Sequence, residues 1–112
     1  MGVLLIRAAT ADDLEAIRLC VRKAFEVYIP RIGKKPAPML TDYARSLEDD
    51  LVFVGDLDGR AVGVLVLQPV EDAVLLDTVA LLPDCQGKGF GRQFLEFAEQ
   101  AAAERGAGEI RL

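Results

Sequence analysis

The last third of the chain places a strand pattern, a glycine-rich turn and a helix pattern one after another, and this succession constrains the fold most. The apolar run 79–82 ends at Pro83, and Gly87, Gly89 and Gly91 follow. Glycine lacks a Cβ atom and adopts positive φ, so the backbone N–H groups of such a turn can converge on one point. The helix behind it adds free N–H groups and a partial positive charge. The turn is therefore expected to bind an anion, most often a phosphate.

Two common phosphate-binding loops do not match this turn. A P-loop requires Ser or Thr after its Gly-Lys pair, whereas Gly87-Lys88 is followed by Gly89. A dinucleotide-binding fingerprint opens the first βα turn of a parallel unit, whereas this turn lies late in the chain behind a predicted hairpin. The residues alone leave two interpretations open: an anion site, or a plain tight turn before a helix.

Apolar patterning predicts the order β-α-(α)-β-β-β-α-β in a single domain over residues 1–112. Asp58-Gly59 predicts a two-residue hairpin turn. Thr10 is expected to cap the first helix and Pro30 to end it, and the proline-rich segment 30–39 is expected to be an irregular loop. A hairpin meander followed by strand, loop, helix and strand predicts an α/β fold with a mixed sheet. The predicted strands cover 3–7, 51–57, 61–67, 73–82 and 109–112, and the later helices cover 40–47 and 90–105.

The composition excludes several classes of site. The 112 residues include no His, which excludes a His-based triad and His metal ligands. Cys20 and Cys85 belong to no C-x-x-C pair, so no metal is predicted and the cytoplasm is the expected compartment. The net charge of −5 and the lack of a dense basic run argue against nucleic-acid binding. No apolar run approaches the roughly 20 residues of a membrane-spanning helix.

The turn also matches a family motif. Gln86-Gly87-Lys88-Gly89-Phe90-Gly91 resembles the [Q/R]-x-x-G-x-[G/A] motif of the GNAT superfamily of acyl-CoA-dependent N-acyltransferases. Residues 79–83 resemble that family's fourth strand, and residues 7–13 resemble its common start. Asp58-Gly59 with Gly63 resembles its β2–β3 hairpin. The resemblance runs through nearly all of the chain in the right order.

The resemblance implies a GNAT-like fold with acetyl-CoA as co-substrate and no metal. Backbone N–H groups of the turn, together with Arg92, would hold the pyrophosphate, and the fourth strand would pair with the pantetheine arm through its backbone. That strand usually bulges and splays from the fifth, which opens a slot. The residues expected to bind the cofactor are Val79, Ala80, Leu81, Gln86, Gly87, Lys88, Gly89, Phe90, Gly91 and Arg92.

Asp77 is the first candidate for a general base. An acceptor ammonium must lose a proton, and a carboxylate achieves this best through water or by orienting the amine. If no bulge intervenes, Asp77 shares one strand face with Leu75, Val79 and Leu81. The alternative is an Asp that pairs with a neighbouring cation or backbone amide.

The segment from Tyr28 to Tyr43 is the candidate acceptor region, because the corresponding part of GNAT proteins lies over the acceptor. Tyr28, Arg31, Asp42 and Tyr43 are the residues expected to contact the acceptor or its carboxylate. The alternative is a proline-stiffened surface loop whose aromatic side chains pack into the core.

The chain departs from the family pattern at its end. GNAT domains normally continue past the fifth strand with a helix that carries an Asn near the pantetheine and a Tyr that protonates the thiolate. The sequence ends at Leu112, so the domain is expected to be C-terminally incomplete and its general acid to be absent. The fifth strand would then leave an open edge through which a homodimer could form.

The resulting prediction is an N-acetyltransferase that moves an acetyl group from acetyl-CoA to a primary amine of a small molecule or a protein N-terminus. Two alternatives stay open: a non-catalytic acyl-CoA-binding remnant, and a scaffold that dimerises through its sheet edge. The net charge of −5 weakly favours a cationic amine. No nucleic acid or membrane is expected as a partner.

Overall fold

The computed structural model describes residues 3–107 and 110–111, and its five strands form one sheet in chain order. The strands are β1 (Leu4–Ala8), β2 (Leu51–Leu57), β3 (Arg60–Pro69), β4 (Val74–Leu81) and β5 (Ile110–Arg111). Neighbours from β1 to β4 are antiparallel, and β5 lies parallel to β4 through the pairs Val74–Ile110 and Leu75–Arg111. The predicted mixed α/β sheet is confirmed. Glu109 and Leu112, the two ends of the predicted fifth strand, lie outside the described residues, as does Gly108 before them.

Helices cover both faces of this sheet. Within the described ranges they are α1 (Leu14–Phe25), α2 (Ile29–Ile32), α3 (Tyr43–Asp49) and α4 (Phe90–Glu104). Residues 62–67 of β3 are buried throughout, so the strand is covered on both sides. The helix α4 packs on one face, and α1 contacts β3 and β4 from the other. No helix in the described part of the chain is both long and apolar enough to cross a bilayer.

An ion-pair network holds the entry of α1. The Asp13 carboxylate accepts two hydrogen bonds from the Arg7 guanidinium, at 2.8 and 2.9 Å, and one from the N–H of Thr10 at 2.7 Å. Arg7 also donates to Asp56 of β2 at 2.7 Å. Thr10 is confirmed as an N-cap, but it caps the 3-10 turn Ala11–Asp13 that leads into α1. The network ties β1 and β2 to the first turn of the helix.

The segment after α1 is more regular than predicted. The helix ends at Phe25, a 3-10 turn follows at Glu26–Tyr28, and Pro30 lies inside α2 instead of ending a helix. Proline is tolerated there because N–H groups in the first turn of a helix have no intrahelical acceptor. A further 3-10 turn at Ala37–Leu40 delays the predicted helix 40–47, so α3 begins at Tyr43. The expectation of an irregular loop over residues 30–39 was therefore wrong for most of its length.

The hairpin between β2 and β3 is confirmed. Asp58 and Gly59 form its turn with φ values of 54° and 81°, and a type I′ turn requires positive φ at both positions. The helix α4 packs on this hairpin at two glycines, Gly55 of β2 and Gly63 of β3. A Cβ atom built on Gly55 would lie 2.7 Å from Cζ of Phe94. The two glycines of the strand pair, Gly55 and Gly63, thus admit the Phe94 ring between helix and sheet.

A bulge interrupts β4 at Asp77. Leu76 and Thr78 pair with two adjacent residues of β3, Leu67 and Val66, so Asp77 is the extra residue in the register. An extra residue shifts the alternation of side chains by one, and the residues before and after it exchange faces. The common face expected for residues 75, 77, 79 and 81 without a bulge therefore does not exist. The bulge itself agrees with the family resemblance.

Candidate functional site

Hydrogen bonds to the sheet anchor the loop that follows β4. The N–H of Leu82 donates to the carbonyl of Val62 at 2.9 Å, and the side-chain amide of Gln86 donates to the carbonyl of Leu81 at 3.1 Å. Between these two contacts lies a 3-10 turn, in which the N–H of Cys85 donates a hydrogen bond to the carbonyl of Leu82 at 2.9 Å. These contacts fix where the glycine-rich turn leaves the sheet.

The glycine-rich turn leads into α4, whose N-terminus is not capped by a side chain. Gly87 and Gly89 have φ values of 77° and 84°, and a Cβ atom on either would meet no atom within 4 Å. The backbone conformation, not crowding, is what requires glycine there. Gly89 is the N-cap of α4, and the first N–H to bond back into the helix is that of Gln93, to the carbonyl of Gly89 at 3.2 Å. The N–H groups of Phe90, Gly91 and Arg92 precede it and have no acceptor within the helix.

The side chains around this turn leave it positive. Lys88 and Arg92 are exposed, and neither forms an ion pair with any residue that the structure describes. The nearby carboxylate of Asp84 is paired with Arg60 at 3.2 Å, and this pairing lowers the pKa of Asp84. Two cations without an ion pair therefore flank the helix N-terminus in sequence, which is the chemistry of an anion site.

A groove lies beside the open edge of β4. Since β5 pairs with β4 at Val74 and Leu75, the described residues supply no partner strand for β4 between residues 76 and 81 on that side. The groove has a volume of about 260 Å³ and runs between β4 and the end of α1. Its lining combines the predicted Val79, Ala80, Leu81, Gln86 and Tyr28 with the unpredicted Ala24 and Phe25.

Asp77 protrudes at the bulge, beyond the groove residue Val79. Its side chain is exposed, and Oδ2 accepts a hydrogen bond from the hydroxyl of Thr78 at 3.2 Å. In the described part of the chain it forms no ion pair. Its partner is thus a neutral hydroxyl, which leaves the carboxylate available to a cationic ligand.

Two of the predicted acceptor residues organise α3. Asp42 caps this helix by accepting a hydrogen bond from the N–H of Arg45 at 3.3 Å. Tyr43 is buried, and its hydroxyl donates to the carbonyl of Pro38 at 2.7 Å. Burial raises the pKa of Tyr43, while the hydroxyl of Thr78 beside it opposes that rise. Tyr43 therefore connects the segment before α3 with the bulge of β4.

The other two acceptor candidates, Tyr28 and Arg31, are exposed. Tyr28 is 41% exposed and lines the groove, and the guanidinium carbon of Arg31 lies 5.7 Å from the centre of its ring. This is a cation–π distance, so the two side chains support each other.

A larger cavity of about 550 Å³ lies between α1 and the segment 35–43. Tyr43 is the member of the predicted acceptor group that lines it. The cavity residue Val21 and the groove residue Phe25 lie one turn apart on α1. The cavity and the groove are therefore neighbours.

The sequence profile described as the acetyltransferase (GNAT) family matches residues 14–112. The chain belongs to the GNAT acetyltransferase family. Membership assigns it to the acyltransferases and confirms the resemblance carried by the Gln86–Gly91 motif. No curated protein sequence matches the chain as a close relative.

Solved GNAT structures share this fold. The PaiA N-acetyltransferase from Thermoplasma acidophilum, in complex with coenzyme A, is similar with a TM-score of 0.77 and 18% identity, over 93% of this chain and 74% of its own. A GNAT acetyltransferase from Brucella melitensis, in complex with acetyl-CoA, gives 0.78 and 20%, over 98% and 75%. The ribosomal-protein-S18-alanine N-acetyltransferase from Escherichia coli gives 0.74 and 24%, over 94% and 63%. At these identities the likeness establishes the GNAT fold.

One carboxylate that interacts with Asp77 was not singled out in the sequence. Asp50 directly precedes β2, next to the register pair Leu51–Leu67, and Gln68 follows that pair on β3. Burial raises the pKa of Asp50, a hydrogen bond with the Gln68 side chain opposes the rise, and the negative charge of Asp77 adds to it. The signal that could have found it is a polar pair at the end of two otherwise apolar strands.

Proposed function

We propose that this chain transfers an acetyl group from acetyl-CoA to the primary amine of a small molecule or of a protein N-terminus. The observation that carries the proposal is the uncapped N-terminus of α4, held by Gly87 and Gly89 at the end of an open strand edge. Family membership supports the reaction class. The similar structures in complex with coenzyme A and acetyl-CoA support the choice of acyl carrier.

The residues present fit a coenzyme A diphosphate. The N–H groups of Phe90, Gly91 and Arg92 would donate to its oxygens, and the side chains of Lys88 and Arg92 would balance its charge. The side-chain amide of Gln86 holds the turn against the carbonyl of Leu81. When bound, the cofactor supplies the activated acetyl group as a thioester.

The edge of β4 is suited to the pantetheine arm. Val79, Ala80 and Leu81 line the groove, and their peptide groups on that side have no partner strand in the described ranges. An extended amide chain pairs with such an edge as an additional strand. The arm would then point from the glycine turn toward the bulge at Asp77, and its reactive end would lie near this carboxylate.

Asp77 is proposed as the base. The Thr78 hydroxyl occupies Oδ2, so Oδ1 is free to orient an ammonium or to receive its proton through a water molecule. Tyr28 and Arg31 would contact the acceptor at the mouth of the groove. Asp42 and Tyr43 would act on the acceptor by holding the segment that covers it.

Calorimetric titration of acetyl-CoA into the purified chain tests the first half of this proposal. We expect a micromolar Kd. Gly89→Glu should raise this Kd about tenfold or more, because its carboxylate would occupy the space in which the phosphate binds. Gly33→Glu is the matched control, since Gly33 has φ 75° and equally open surroundings but lies far from the turn in sequence. Equal losses in both variants, or no binding by the folded wild type, would refute the diphosphate site.

Turnover tests the second half. Release of the coenzyme A thiol is followed with a panel of amines that includes a peptide with N-terminal alanine, the acceptor named for the similar Escherichia coli enzyme. Acetylation of at least one amine is expected. Tight acetyl-CoA binding without turnover of any amine would instead assign the chain to the binding-module alternative.

A further inference from the structure

The cavity between α1 and the segment 35–43 has the size and lining of a small-molecule site. Its volume of about 550 Å³ lies within the usual range for ligand pockets. Leu19, Val21 and Met39 give it apolar walls, and the hydroxyls of Thr41 and Tyr43 add polar atoms. Nothing in the proposed binding of acetyl-CoA uses this space.

The charges around the cavity are mostly positive. Arg18, Arg22 and Lys35 line it, together with a single carboxylate, Glu15, which is paired with Arg18 at 2.9 Å. Arg22 and Lys35 form no ion pair with any described residue. Two uncompensated cations at one cavity contrast with the net charge of −5 of the whole chain. They come from two separate elements, Arg22 from α1 and Lys35 from the segment before α3.

Tyr43 connects this cavity with the bulge of β4. Its side chain lines the cavity, and Thr78 and Asp77 are near enough to affect the pKa of its hydroxyl. The hydroxyl of Thr78 donates to Asp77. An acceptor that reached from the cavity toward the bulge would place its anionic end at Arg22 and Lys35 and its amine toward Asp77.

We propose that the cavity selects an acceptor amine that also carries an anionic group, a carboxylate or a phosphate, which Arg22 and Lys35 bind. This inference rests on the proposed acetyltransferase function. It assigns the acceptor to the zwitterionic amines, such as amino acids or amino-alkyl phosphates, and gives Arg22 and Lys35 the role of specificity determinants.

Binding is tested without catalysis. Hexanoate, hexyl phosphate and hexanol are titrated into the chain, and the amide NMR signals of residues 15–22 and 35–43 are followed. The two anions are expected to give saturable shifts, with hexanol about tenfold weaker, because it lacks the charge-assisted contacts. The tighter of the two anions identifies the group that the cavity prefers.

Variants tie this binding to the two cations. Arg22→Gln and Lys35→Gln are each expected to weaken the preferred anion about fivefold to tenfold, the loss of one charged hydrogen bond. Lys23→Gln and Lys34→Gln remove a neighbouring charge that does not line the cavity and should leave the affinity unchanged. Equal binding of hexanol, or equal losses in all four variants, would overturn the inference.

Turnover then separates this inference from the proposed function. In the wild type, kcat/KM for 6-aminohexanoate should exceed that for hexylamine about tenfold or more. In the double variant Arg22→Gln/Lys35→Gln, the two values should become nearly equal. For a phosphate-preferring cavity, 6-aminohexyl phosphate replaces the carboxylate. Equal acetylation of charged and plain amines would refute the inference and leave the proposed function standing. Failure to bind acetyl-CoA would refute the proposed function, whatever the anion titration gives.

Discussion

The ring of Phe94 lies so close to Gly63 that a Cβ atom on this glycine would stand 2.6 Å from Cε2 of the ring. Phe94 is fully buried, so the ring has no free space into which it can move. We expect Gly63→Ala to lower the free energy of unfolding by about 1–3 kcal/mol through overpacking. Urea denaturation measures this loss. Gly91→Ala is the control, because its Cβ would meet Leu81 at an ordinary 3.8 Å, and equal destabilisation of both variants would contradict the packing argument.

The pair of Arg7 and Asp13 makes stability fall in acid. Its hydrogen bonds to the Arg7 guanidinium lower the pKa of Asp13 to about 2 from its usual 3.8. A lowered pKa in the folded state gives stability that is present above the unfolded value and lost as the pH falls from about 4 to about 2.

Asp13→Asn should therefore reduce stability at neutral pH by about 1 kcal/mol, a figure discounted because Arg7 is partly exposed to solvent. The difference from wild type should shrink as the pH approaches about 2, where Asp13 is half protonated, and vanish below that pH. Thermal unfolding as a function of pH measures it. An unchanged gap at low pH, or the same loss in Asp12→Asn, would exclude the ion pair as the cause.

Asp50 should behave in the opposite way. Burial raises its pKa, so the contribution of Asp50 to stability is largest below the unfolded pKa and is lost as the pH rises through the folded value. We expect Asp50→Asn to be more stable than wild type at neutral pH and equal to it in acid. A stability difference that does not depend on pH would show that charge burial is not responsible.

Asp77→Asn tests the proposed base. We expect kcat/KM for the acceptor amine to fall about a hundredfold, because the amine loses its proton acceptor, while the Kd for acetyl-CoA stays unchanged. Asp72→Asn is a suitable control, since Asp72 is an exposed carboxylate in the turn before β4 that pairs with Arg111 at 3.5 Å. Comparable activity losses in the two variants, or weaker acetyl-CoA binding by Asp77→Asn, would remove Asp77 from this role.

Features fixed by a few consecutive residues were predictable from the sequence. The turn at Asp58-Gly59 and the positive φ of Gly87 and Gly89 follow from local backbone preferences, and the helix that starts at Phe90 follows from its apolar spacing. The succession of strands and helices along the chain followed from these local signals and the family resemblance. The prediction for Pro30 was wrong because proline, which ends many helices, is also suited to the first turn of a helix, and Pro30 lies in the first turn of α2.

Features that depend on distant pairing were not predictable from the residues themselves. The family resemblance implies a bulge in the fourth strand, but its position at Asp77 follows from the pairing of Leu76 and Thr78 with neighbouring residues of β3, and no residue type at position 77 signals this register. Asp50 became a candidate only once its neighbour Gln68 and the burial between strands were known. Hydrophobic periodicity indicates which face of a strand a residue occupies, but it does not indicate where the register between two strands shifts.

The open edge of β4 bears on how such a protein can diverge. The atoms that residues 79–81 offer along this edge are peptide N–H and C=O groups, which almost every amino acid supplies. Substitutions at these positions are therefore constrained by side-chain volume and not by chemical identity. Two descendants of one ancestral chain can lose all likeness along this strand and still recognise the same extended amide.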